Sequence, residues 1–302
     1  MIEMELKSNK DVVEVVTDGK IFTEYRFGHY ACRPFLYPML TPEGTPLTRG
    51  FPIDNIEGET QDHYHHRSVY TAHGLVNGFN LWDESLNHGI MLQRGQPKVG
   101  MIGDAGQIDG IVDWFGPNGE QLLEERRTIQ ISCKGLIRIL NHTSEFRAFH
   151  GEVKFGDTKE GGLYSIRVPT SMDAKGNGRI ENSEGQIYQN GQGVETTWGV
   201  RAEWVDYSGP LSDGVEWGHT VVDHCQNPLY PTYWHVRGYG LFTANPFGVH
   251  DFKGDDSIDG SWVIPNGETR TFRFCHIVHP GRGIDGCDGV REIISTYQSF
   301  DV

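Results

Sequence analysis

The residues best suited to chemistry in this chain fall in two polar clusters. The first is Asp62-His63-Tyr64-His65-His66-Arg67-Ser68, with His73 close behind. Imidazole is the usual acid/base group near neutral pH and the commonest metal ligand. On a strand His63 and His65 would face one side and His66 the other; in a loop all three could converge. His65 and His66 are therefore candidate proton-transfer residues, with Arg67 and His73 as candidate ligand-binding neighbours. His63, His65 and His73 also form a candidate set for a divalent ion such as zinc, manganese or iron. The spacing matches no established metal motif, and H-E-x-x-H is absent. The plain alternative is a group of hydrogen-bonded structural histidines around a tight turn.

The second cluster runs Asp223-His224-Cys225-Gln226-Asn227-Pro228, then Pro231-Thr232-Tyr233-Trp234-His235-Val236-Arg237-Gly238-Tyr239-Gly240, then Asn245-Pro246-Phe247-Gly248. Trp234 and Val236 alternate with His235, Arg237 and Tyr239, so one face is apolar and the other carries imidazole, guanidinium and phenol. Such a face can bind and polarise an oxygen-rich ligand, because guanidinium offers a fork of donors. His235 is a third candidate proton-transfer residue. Trp82, Trp234, Arg237, Tyr239 and Asn245 are candidate ligand contacts, and Asp223 or Glu203 could orient an imidazole. Trp198 and Trp204 could stack on the C–H face of a sugar or fill the core.

The elements that must position these clusters read as strands. Val12 to Val16 and Ile21 to Phe27 flank an Asp18-Gly19 turn signal. Residues 33–62 are rich in Pro, Gly and aromatics and read as an ordered loop. Strands are expected over Ile108–Trp114, Glu124–Cys133, Leu136–His142, Phe146–Phe155, Leu163–Val168 and Thr269–His279, the last with Phe272, Phe274, His276 and Val278 on one face. Val290, Ile293, Ile294 and Tyr297 have helical spacing and predict one C-terminal helix. No fixed-period repeat points to a propeller or solenoid. Many strands without crossover helices predict an all-β fold, a single domain over residues 1–302 built as a large antiparallel two-sheet β-sandwich.

Composition narrows the function classes. The 302 residues are 37 % hydrophobic and 22 % charged, and 39 are glycine, which suits many tight turns. A net charge of −15 disfavours nucleic acid and anionic lipid as partners, and no basic stripe offsets it. No signal peptide and no long apolar span is visible. Five cysteines at irregular spacing fit reduced thiols, so a cytoplasmic location is expected. Oligomeric state is left open, a homo-oligomer included.

The segments RPFLYPMLTPEGTPLTRGFP, DHYHHRSVYTAHGLVNGFNLW, WGVRAEWVDYSG and NPLYPTYWHVRGYGLFTANPFG resemble the bacterial PmoA-like family of soluble proteins, over about residues 30 to 280. The ending SWVIPNGETRTFRF is similar to the last strands of galactose-mutarotase-like proteins, with Asn266 departing from their turn pattern. That resemblance implies a β-supersandwich and acid/base chemistry on a sugar ring; no catalytic residue is carried over from it.

Together these readings predict a carbohydrate-active enzyme that uses His/Arg acid/base chemistry, with a divalent metal as a candidate cofactor. Its substrate would be a sugar or keto-glycoside, and its reaction elimination, hydrolysis or epimerisation. A non-catalytic sugar-binding module is the alternative, and a copper-dependent oxygenase a third reading. The expectation for the site is that His65, His66, Arg67, His73, His235 and Arg237 line one pocket.

Overall fold

The computed structural model describes residues 3–299, apart from Tyr30 and Gly193. Two large sheets dominate it. One has nine strands in the order Met4–Ser8, Val12–Thr17, Lys20–Arg26, Phe35–Met39, Val69–His73, Gly161–Arg167, Leu241–Ala244, Tyr233–Val236 and Val200–Arg201. The other runs Ile187–Gln189, Arg179–Asn182, Trp204–Pro210, Glu216–Asp223, Thr269–Pro280, Ile137–Arg147, Gln121–Lys134, Ala105–Phe115 and Ile90–Gln93, with Lys98–Ile102 also pairing on Ala105–Phe115. The pairings between the long central strands are antiparallel, as connections without crossover helices require. The fold is thus the all-β, two-sheet sandwich that the sequence pattern predicts.

Alternation explains how the sheets face each other. Phe272, Phe274 and Val278 point into a core shared with Val13, Phe35, Ile166 and Phe242 of the nine-stranded sheet. Cys275 and Ile277 point outward instead, where the helix Val290–Ser299 covers them with Val290 and Ile294. Two closed networks of polar groups cross the core, since an unpaired buried polar group is costly. Tyr164 donates its hydroxyl to His276 Nδ1 at 3.0 Å. His276 Nε2 lies 2.9 Å from His219 Nδ1, and His219 Nε2 lies 2.8 Å from the Leu47 carbonyl. Since a carbonyl only accepts, the chain fixes both tautomers: His219 donates from Nε2, and so does His276. Glu125 and Arg127 form a second closed group, paired at 2.8 Å, with Trp114 Nε1 and Ser144 Oγ also donating to Glu125.

The loop that carries His63, His65 and His66 and the hairpin that carries Arg237 and Tyr239 meet at one end of the nine-stranded sheet. The pairings Ile166↔Val69, Arg167↔Leu241 and Val236↔Phe242 bring four strand ends together at that end of the sheet. The loop that precedes Val69 and the hairpin that joins Val236 to Leu241 therefore meet over Arg167.

Two sequence expectations change. Leu136–His142 and Phe146–Phe155 are not two strands of those bounds: one strand runs Ile137–Arg147, the chain then turns, and Val153–Phe155 pairs with Trp262–Ile264 in a small separate sheet. A short helix, Val249–Lys253, also adds to the C-terminal one. At five residues it is too brief to show a helical period.

Candidate functional site

Arg49 and Arg167 form the base of the site, and both guanidinium side chains are almost wholly buried. Asp62 answers both: Arg49 Nη1 pairs with its Oδ1, and Arg167 Nη2 donates to the same oxygen at 2.8 Å. Arg49 Nη2 also donates to the His63 carbonyl at 3.0 Å, and His66 N–H donates to that carbonyl at 3.0 Å. These bonds hold His63 at φ 43°, in the left-handed region that costs a non-glycine residue. In this position its Nδ1 lies 2.9 Å from Asp62 Oδ2. The two side chains stay open to solvent, at 42 % and 41 % exposure, above a buried cationic floor.

Rings complete the arrangement. His63 stacks between Tyr239, at 5.1 Å and 6°, and His66, at 4.8 Å and 11°. His65 meets His66 edge-on at 4.4 Å, and Trp82 backs both imidazoles. Arg167, Lys175 and Arg237 approach the Tyr239 ring at 5.0, 5.5 and 5.6 Å, positions where the ring quadrupole attracts cations. Arg237 is also ion-paired with Glu195 at 2.6 Å, too bent for a hydrogen bond, and lies over Trp198. The aromatic and cationic hairpin and the histidine loop thus form one surface.

The charge states follow from these neighbours. Partial burial works against ionisation of Asp62, yet Arg167, His63 and Arg49 hold its carboxyl below the usual range. Burial, with the charge of Arg33 and of His63, lowers His65 to about 4. His66 is pushed well below the ordinary imidazole value by burial, then by His65 and Arg167. Arg167 Nη1 donates to His66 Nδ1 at 3.2 Å, which leaves the ring proton on Nε2.

Several sequence candidates have other places. His66, 1 % exposed, supports Arg167 from beneath and does not face solvent. Arg67 is engaged by Glu84 through two bonds of 2.6 Å. His73 stands at the far end of its strand, roughly 13 Å along at the usual rise per residue; its Nε2 binds the Gly156 carbonyl. His235 is 2 % exposed, with Nδ1 donating to the Lys159 carbonyl, and Asn245 Nδ2 donates to the same segment. Both therefore anchor the 158–159 turn. The alternation that sends His235 and Arg237 outward sends Trp234 into the core, where its indole N–H donates to Ala202 O at 2.9 Å. Trp82 is buried behind the imidazoles. Asp223 is buried with Asn227 and the Thr232 N–H as partners, and burial raises it to about 7. Glu203 lies near Gln298 and receives the Asp223 N–H on its carbonyl. Neither carboxylate orients an imidazole of the cluster.

The proposed ion set of His63, His65 and His73 is not assembled, because His73 is separated from the other two by its strand. Among the described residues no group of three or more His, Cys, Asp or Glu is arranged to hold a metal ion. Arg33, Arg49 and Arg167 next to the imidazoles would also repel a divalent cation. The residues present do not fit a resident metal.

Sequence reasoning missed Arg49, Arg167 and Lys175. Arg167 had a readable signal: it is the one charge in the otherwise uncharged, wholly buried run Gly161–Arg167. Arg49 lies in an irregular segment whose geometry no periodicity reports.

A family model described as a family of unknown function (DUF6807) matches residues 12–285. No curated protein matches the chain. Among solved structures, the galactose 1-epimerase of Lactobacillus acidophilus NCFM is 8 % identical over 93 % of this chain and 100 % of its own, with a TM-score of 0.43. A protein described as a candidate aldose 1-epimerase from Escherichia coli K12 is 12 % identical over 93 % and 100 %, with a TM-score of 0.40. A polysaccharide lyase is 10 % identical over 97 % of this chain and 34 % of its own, with a TM-score of 0.35. Among the described residues no helix is long and apolar enough to cross a membrane.

Proposed function

The chain belongs to DUF6807, a family of unknown function, and from its own site we propose that it is an enzyme that moves protons on a carbohydrate ring. The observation that carries this reading is the Asp62–His63 pair, open to solvent and held by buried Arg49 and Arg167. A carboxylate beside Nδ1 keeps the imidazole oriented and stabilises the imidazolium formed when Nε2 takes a proton. His63 is the acid/base residue in this proposal, and Asp62 positions it. His65, kept neutral, faces the ligand as a hydrogen-bonding partner and a second candidate base.

The surroundings suit a neutral or mildly acidic polyol. Lys175 and Arg237 donate, Glu195 accepts, and the half-exposed ring of Tyr64 and the edge of Tyr239 offer surface for C–H groups. The finer reading, epimerisation, elimination or hydrolysis of a sugar or keto-glycoside, is part of the proposal and is decided by product analysis.

The test is NMR in heavy water with a panel of reducing hexoses, methyl glycosides, 3-keto-glycosides and hexuronates. Exchange, anomerisation or cleavage is expected with at least one class, and His63→Ala should lower the rate by about 10²-fold or more. Thermal stabilisation by a sugar, with no turnover of any panel member, would leave a binding module in place of the enzyme.

A further inference from the structure

One carboxyl near this surface has no part in the arrangement described so far. Asp173 follows the single turn Thr170–Met172, and its segment is pinned to the hairpin that carries Tyr239. Lys175 N–H donates to Gly238 O at 2.9 Å, Ala174 N–H donates to Tyr207 Oη at 2.9 Å, and the Tyr207 hydroxyl donates to Arg237 O at 3.2 Å. The half-buried carboxyl is thereby set against Gly240, where φ is 95° and an added Cβ would lie 2.8 Å from Asp173 Oδ1. That oxygen is shut off from solvent and has no hydrogen-bond partner among the described residues. A charged oxygen is costly in such a seat, whereas a neutral carboxyl is much less so.

We infer that Asp173 is the second proton-transfer residue of the site, acting as a carboxylic acid on the ligand while His63 acts as the base. This rests on the acid/base reading proposed above. His63 takes a proton from one ligand atom, and the electron pair released there moves toward a second atom. Asp173 delivers its carboxyl proton to that second atom. The step ends with an imidazolium and a carboxylate, and one proton passes back through solvent to reset the pair. Arg167, Asp62 and Arg49 face Asp173 from the neighbouring elements, Tyr207 from the opposite sheet, and Lys175 from its own turn. Burial, with the charge of Asp62, pushes Asp173 up to about 6 against the pull of Arg167, Arg49 and Lys175. A group of that strength can donate near neutral pH.

Asp173→Asn keeps the shape and removes the proton. On the same carbohydrate panel it should fold with a similar unfolding midpoint and lose about 10²-fold or more in kcat, with KM little changed. It should also lose the alkaline limb of the pH–rate profile, and Asp173→Glu should recover part of both. A difference titration of wild type against Asp173→Asn, which needs no substrate, should show one carboxyl with a midpoint of about 6. An unchanged rate and pH profile in Asp173→Asn, with His63→Ala inactive, would overturn this inference and leave the acid/base reading intact. A titration midpoint at the ordinary Asp value would overturn it as well. Wild-type protein that turns over no member of the panel would overturn both.

Discussion

Two buried guanidiniums depend on one carboxylate at the mouth of this sheet. Asp62→Asn keeps the volume but leaves Arg49 and Arg167 without that counter-charge; because Asp62 is itself 42 % exposed, solvent screens the loss, and the cost falls between that of an exposed and a buried pair, about 1–2 kcal/mol. Urea unfolding should report a loss of that order; a change under about 0.5 kcal/mol, typical of exposed pairs, would place both arginines in an effectively aqueous setting. The same substitution should slow the reaction even under conditions where the protein remains folded, because His63 loses the group beside Nδ1. Arg67→Lys should cost far less in activity than Arg237→Lys, since Arg67 is tied to Glu84 away from the His63 surface, whereas Arg237 lies over the Tyr239 ring that stacks on His63.

Element by element, the sequence was readable wherever period and turn chemistry agreed. The first hairpin is observed as Val12–Thr17 and Lys20–Arg26, with both turn residues Asp18 and Gly19 at positive φ as a primed turn needs. The helix read from Val290, Ile293, Ile294 and Tyr297 spans Val290–Ser299. It is an outer cover, so Ile294→Ala should lower stability by about 2 kcal/mol while sugar turnover stays within twofold. The edge strand Met4–Ser8 was not readable, being half-exposed and without strong alternation. Of the site, the histidine cluster and the outward face of Arg237 and Tyr239 were legible, because they are dense in sequence or follow period two. Their contact with Arg49 and Arg167 was not, because strand order decides it: Arg167 lies about a hundred residues from His66 and meets it through the pairing Ile166↔Val69.

Over the whole molecule, the buried imidazoles set the response to acid. Burial lowers His73 and His219 to about 4 and His142 to about 3, and it pushes His276 well below the ordinary value. The unfolded chain, with imidazoles near 6.5, therefore binds more protons than the folded one between about pH 6.5 and 4. The histidine contribution is complete above that window and is lost as pH falls through it. Asp173 and Asp223, raised to about 6 and 7, act in the opposite sense but are fewer, as does His279, which Asp206 raises against its burial. The unfolding temperature should consequently drop between pH 7.5 and pH 5, and Tyr164→Phe, which removes the donor to His276, should lower it at both values. The left-handed backbone at His63 extends the argument beyond protonation. Holding the His63 side chain in that place costs the molecule a local deficit in backbone stability. His63→Gly would then be more stable than His63→Ala by about 1 kcal/mol, though equally inactive. The difference between those two inactive proteins would measure how far this fold has given up stability in order to act.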